Sequence, residues 1–239
     1  MTPPTVWGIS DLHLSGARPE RRDRLAGRWR DHPERLAAAW KGAVAPEDLV
    51  LIPGDISMAR NHREVQPDLA WLERLPGRKV LAPGNHDVWW NGVDRIRPML
   101  RRSMVAVDGD AIRIGEVVAC GARGVPVPEE GAPPEQLAAA ERELERIERA
   151  LSLAAGVGGP GIPIFVLWHY PPVDSRGRPG PWMERWEAAG VAHVVYGHIH
   201  AERQWGNALR GMVRGVRYSC VAADSIGFRP LRLSPGPTA

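Results

Sequence analysis

The stretch "VAHVVYGHIH" runs from Val191 to His200 and joins an apolar run to two histidines one residue apart. Val191 to Val195 has the length and β-branched content of a buried strand. A strand sends alternate side chains to opposite faces, so His198 and His200 would share a face if the extension continued. Gly197 signals a turn, where the backbone can bend and bring both rings onto one point. Converging imidazoles are most often metal ligands, but two are too few to hold a catalytic ion. The fold therefore depends on whether other strands end in the same way.

Four others do. Val6 to Ser10 empties into "DLHLSG", which carries Asp11 and His13. "DLVLIP" ends in "GDIS" with Asp55, and "KVLAP" ends in "GNHD" with Asn85, His86 and Asp87. "PIFVLW" ends in "HYPP", beginning at His169. Helical periodicity fills the intervals. Leu36, Ala39 and Trp40 share a face after Pro33, and Val65, Leu69, Leu72 and Leu75 form a stripe over Val65 to Leu75. A helix is predicted over Val93 to Arg101, with Pro98 standing against it. The strongest helix opens at Pro133-Pro134, with Leu137, Ala140, Leu144, Ile147, Leu151 and Ala154 on one face and Glu145 paired with Arg149 on the other.

Short strands are predicted over Met104 to Val107, Ala111 to Ile114 and Val117 to Cys120, and a short helix over Trp182 to Ala188. Leu209 to Leu233 reads as antiparallel strands with Gly and Pro turns. Alternating strands and helices predict an α/β fold, in which ligands bind at the carboxyl ends of the strands. Five clusters at that edge make one site. With no repeat and no dividing linker, residues 1–239 are expected to form a single domain.

Composition excludes several classes. No apolar run approaches a membrane span, and "MTPPTVWGISDLH" lacks the basic start of a signal peptide, so a cytoplasmic location is expected. Cys120 and Cys220 each lie in an apolar run without Cys-x-x-Cys spacing, which predicts burial as small hydrophobes. The net charge of +3 is small for 239 residues, and only Lys41 and Lys79 are lysines. One stretch is lopsided. Arg203 to Arg232 holds six arginines and the single acid Asp224, and is read as a solvated sheet face rather than a nucleic-acid track.

The polar clusters offer carboxylates, one amide oxygen and imidazoles, without thiolate. That set argues against a structural zinc and for hydrolytic ions such as Mn²⁺, Fe or Zn²⁺. Seven ligands exceed what one ion needs, and two ions sharing a carboxylate fit better.

The ordered blocks D-x-H, G-D, G-N-H-D, H and G-H-x-H, from Asp11 to His200, resemble those of the calcineurin-like metallophosphoesterase superfamily. "DLHLS", "LIPGDIS" and "GNHDVWW" look most like a bacterial subgroup of predicted phosphohydrolases. The resemblance implies two facing mixed β-sheets flanked by helices, a four-layer sandwich. It assigns Asp11, His13 and His200 to one ion, Asn85, His169 and His198 to a second, and Asp55 to both. It makes His86 the group that contacts the phosphate and protonates the leaving oxygen, with Asp87 orienting it. Two divalent ions (Mn²⁺ favoured over Fe²⁺/Fe³⁺ or Zn²⁺) would neutralise a phosphate ester and activate a hydroxide as nucleophile.

The expected substrate is a small phosphorylated molecule, either a phosphodiester or a phosphomonoester. Arg123, in "CGARGVP", could reach its phosphate. Trp89 and Trp90 are expected in the core, and His32, His62 and His193 receive no role. A nuclease of the same superfamily is the alternative, disfavoured because the chain ends soon after "GHIH" and no Lys/Arg run lies on a helix. A non-catalytic scaffold is the second alternative, disfavoured because no ligand block is missing. No membrane and no obligate protein partner are implied.

Overall fold

The computed structural model describes residues 4–24 and 27–233. One sheet contains β1 (Val6–Gly8), β2 (Leu49–Pro53), β3 (Arg78–Ala82), β4 (Met104–Ala106) and β11 (Leu231–Leu233), in the order β11-β1-β2-β3-β4. The other contains β5 (Asp110–Ile114), β6 (Val117–Ala122), β7 (Ile164–Trp168), β8 (His193–Tyr196), β9 (Gly211–Val213) and β10 (Val216–Cys220), in the order β5-β6-β7-β8-β10-β9. Each has a parallel centre, β1 to β4 and β6-β7-β8-β10, with antiparallel pairing at its margins.

Strand side chains divide by alternation, which makes a four-layer sandwich. Leu49 and Leu51 of β2 meet Phe165 and Leu167 of β7 in a core between the sheets. Val50 and Ile52 point the other way, onto α1 (His32–Ala43) and α2 (His62–Glu73) through Leu36, Trp40, Leu69 and Leu72. Val166 and Trp168 point away from the first sheet, onto α4 (Pro134–Val157) and α5 (Trp182–Ala188). Central strands buried on both faces read as continuous apolar runs, which is why they stood out in the sequence. Cys120 and Cys220 are buried free thiols, as expected.

Three local expectations change. The predicted 93–101 helix becomes α3 (Val93–Ile96) followed by a 3-10 turn at Arg97–Met99, because Pro98 has no N–H to give an α-helical ladder. Arg149 does not pair with Glu145; its Nε donates to the Gly109 carbonyl, 3.0 Å away. The tail is antiparallel only in part. β10 pairs with β9 antiparallel but with β8 in parallel, because the chain crosses back before entering β10.

Candidate metal centre

β1, β2 and β3 of one sheet and β7 and β8 of the other deliver their C-terminal loops to one place. All seven expected ligands meet there, in two groups. In the first, His200 Nε2 lies 3.2 Å from Asp11 Oδ1 and 3.4 Å from His13 Nε2. Asp11, His13, Asp55 and His200 each offer a donor atom within 4.8 Å of the others. In the second, Asn85 Oδ1 is 2.9 Å from His169 Nε2 and 3.0 Å from His198 Nδ1. Asp55 Oδ2 stands between them, 3.8 Å from His13 Nε2 and 3.5 Å from His169 Nε2.

The backbone is bent to achieve this. Asp11, His13, Asp55 and His198 all have positive φ, between 41° and 69°, a conformation non-glycine residues adopt at a cost. Two glycines permit the closest approaches. A Cβ on Gly84 would meet Asp55 Oδ1 at 2.1 Å, and one on Gly197 would meet Asp11 Oδ2 at 2.2 Å.

Hydrogen bonds fix the tautomers that leave lone pairs facing inward. His169 Nδ1 donates to the Pro53 carbonyl, 3.0 Å away, which frees Nε2. His200 Nδ1 donates to Asp224 Oδ1 at 3.1 Å, which turns Nε2 toward Asp11 and His13, where a cation would replace its proton. Asp11 accepts from the His198 amide and from the Ser10 hydroxyl. Asp55 Oδ1 accepts from the His86 amide at 2.8 Å, but Asp55 Oδ2 is buried without a hydrogen-bond partner among the described residues. A carboxylate oxygen left bare amid imidazoles fits a cation better than a hydrogen-bond network.

Electrostatics agree. Burial, then the nearby Asp11 and Asp87 carboxylates, pushes Asp55 up to about 9. Burial would raise Asp11 too, but the His200 hydrogen bond and the surrounding imidazoles outweigh it and hold Asp11 well below the usual range. Burial opposes the charged form of His200, yet its bonds to Asp11 and Asp224 raise it to about 10. Burial lowers His13 to about 3 and His198 to about 4. A protein that strains four ligand-position residues and cannot ionise both carboxylates by itself is prepared for added positive charge.

His86 is exposed, and its ring packs edge-on against His13 at 5.4 Å. Among the described residues no hydrogen bond joins Asp87 to that ring. Its buried carboxylate accepts the amides of Ile56, Ser57 and Gly84 and the Trp89 indole N–H, at 2.9–3.2 Å. Asp87 therefore ties the 84–87 loop to the 55–57 loop and positions His86 through the backbone. Arg123 is exposed at the same edge, and its carbonyl accepts the His169 amide. Trp89 is in the core and Trp90 packs against it.

Sequence reasoning missed four residues here. Asp224 backs His200, Tyr170 packs on His198 at 4.4 Å, and Trp29 stands edge-on to His13 and His200. Buried His32 spans the Trp29 and Leu12 carbonyls, each 2.9 Å away, and so clamps the loop between Asp11 and His13. Only Asp224 had a signal, as the lone acid among the arginines of its stretch.

A model of the calcineurin-like phosphoesterase family matches residues 4–202. The Gene 66 proteins of Mycobacterium phages L5 and D29 are 40% and 43% identical over 82 residues, 34% of this chain in each case. The match spans about two fifths of those relatives' own length, 39% and 40%. A phosphopantetheinyl hydrolase from Mycobacterium tuberculosis superposes over 99% of this chain and 98% of its own, with a TM-score of 0.57 at 17% identity. A protein from Thermus thermophilus superposes over 83% of each chain, with a TM-score of 0.51 at 14% identity. At such identities these two structures share the fold.

Proposed function

The chain belongs to the calcineurin-like phosphoesterase family, and we propose that it is a metal-dependent hydrolase of a small organic phosphodiester or phosphomonoester, with a centre for two divalent ions. Asp11, His13 and His200 would hold one ion, Asn85, His169 and His198 the other, and Asp55 would be shared between them. The observation that carries this reading is Asp55 Oδ2, a buried oxygen without a hydrogen bond between the two donor groups. Mn²⁺ is favoured for an oxygen- and nitrogen-only set. Bound there, the ions would supply charge neutralisation for the phosphate and activation of water.

The protein's own residues do the rest. Asn85 contributes an oxygen without a negative charge, which keeps its side of the centre electron-poor toward phosphate. His86 stands outside both donor groups and donates the proton that the leaving oxygen needs. Exposed Arg123 offers a planar guanidinium to a non-bridging phosphate oxygen. Asp87 and His32 hold the loops so that these groups need not reorganise as charge develops.

The test uses bis-p-nitrophenyl phosphate and p-nitrophenyl phosphate with Mn²⁺, Co²⁺, Zn²⁺ or Fe²⁺. Turnover that a chelator abolishes is expected, with no turnover on either ester counting against the reading. His86→Ala should retain both ions by elemental analysis and lose about 10²–10³ in kcat, within the range of a general acid. The loss should shrink as the leaving group becomes more acidic. Loss of metal from that variant would make His86 a ligand instead.

A further inference from the structure

Beside the metal centre, three loops that leave the second sheet enclose a cavity of about 740 Å³. They follow β6, β7 and β8, and His198 and Tyr170 form the end nearest the ligand set. A phosphate group fills only a small part of such a space, which falls in the range of sites for drug-sized ligands.

Its lining is selective. Val127, Pro171, Val173, Ile199 and Leu209 give apolar walls, and Gln204 and Asn207 add neutral amides that can donate and accept. The charged groups give no excess of positive charge for a second phosphate, since Arg178 pairs with Asp174 and Arg176 is matched by Glu129. Glu129 and Asp174 are the lining acids and Arg176 the lining base. Asp174 is also committed, because its carboxylate accepts Arg178 Nε at 2.6 Å and the amides of Arg176 and Arg178. Among the described lining residues Arg176 is the one arginine or lysine, too little to track a nucleic-acid backbone.

We infer that this cavity receives the organic part of the substrate, and that this part is a bulky uncharged group with both apolar and amide-like hydrogen-bonding portions. The substrate is thus an ester whose one phosphate sits at Asp55 and whose arm bears no further phosphate. This rests on the phosphoesterase reading for the position of the phosphate; the selectivity rests on the cavity alone.

The test separates the two. Calorimetric titration of Mn²⁺-loaded protein would compare three non-hydrolysable ligands. These are methylphosphonate, an alkylphosphonate bearing an N-acylaminoalkyl-phenyl arm, and the same arm ending in a second phosphonate. The neutral arm should bind at least tenfold tighter than methylphosphonate, and the second phosphonate should remove most of that gain. Gln204→Trp and Val127→Trp, which fill the cavity from different loops, should each collapse the arm-to-methyl affinity ratio to within about twofold. Equal affinity for the methyl and arm-bearing ligands would overturn the inference, as would preference for the doubly charged arm or an unchanged ratio in both folded variants. Tight binding of the neutral arm without ester turnover would keep the cavity assignment and defeat the catalytic reading.

Discussion

Asp224 decides which nitrogen of His200 faces Asp11 and His13. Its carboxylate is buried and 3.1 Å from Nδ1, so the ring keeps a proton there and turns Nε2 inward. A backing carboxylate also raises the basicity of the ring it holds. Asp224→Ala should therefore weaken binding at the Asp11–His13–His200 group by about 10–100-fold, the usual cost of losing such a partner. Asp224→Asn, which keeps an acceptor oxygen but no charge, should fall between. Metal titration followed by calorimetry reads this directly, and excess Mn²⁺ should restore rate to both variants. Wild-type Mn²⁺ affinity in Asp224→Ala would reduce the residue to a space-filler. Nothing in the chain announces this pairing, because Asp224 follows no motif and its partner lies 24 residues earlier. The seven positions that converge were readable for the opposite reason. Each belongs to a cluster at the end of an apolar run, and a polar cluster at a strand end is visible without knowing its partners.

At the scale of the element, the legible parts were those with a strong period and the illegible ones were settled by distant contacts. The double burial of β2 and β7 and the stripe of α2 follow from local pattern. The parallel entry of β10 beside β8, and the attachment of Arg149 to Gly109, follow from tertiary neighbours that periodicity does not encode. Asp87 belongs to this scale as well. "GNHD" reads as a catalytic loop, yet its aspartate works as a staple between two loops, accepting four N–H groups into one buried carboxylate. Asp87→Asn turns one acceptor edge into a donor facing amides that are donors themselves. A loss of about 2 kcal/mol is expected, as for a buried hydrogen bond to a charged group. For a chain of this length that corresponds to about 4–8 °C in Tm. Activity should fall further than stability, because the same staple sets Asn85 and His86. A calorimetric scan showing no change in Tm would remove the staple role.

For the whole molecule, the centre joins the two sheets. Asp11, Asp55 and Asn85 come from the first, and His169, His198 and His200 from the second. Ions held there would bind only the folded arrangement and stabilise it by mass action, each by about 2.7 kcal/mol at a hundredfold excess over Kd. Stripping them should lower Tm by about 5–10 °C. The loss should also depend on pH with a definite sign. Asp55 holds its proton to about 9 in the folded chain against its ordinary 3.8, and His200 to about 10 against 6.5. Between pH 6.5 and 9 the metal-free folded state therefore binds more protons than the unfolded chain, and its stability falls as pH rises. His13 and His198, lowered to about 3 and 4, act with the opposite sign but only below 6.5. Cations favour the deprotonated ligands, so loaded protein should gain where metal-free protein loses. Thermal scans with Mn²⁺ and with chelator should diverge steadily from pH 6.5 to 9. Curves that stay parallel across that window would mean that Asp55 and His200 do not carry the charge of the site, and the bridging role of Asp55 would fall with them.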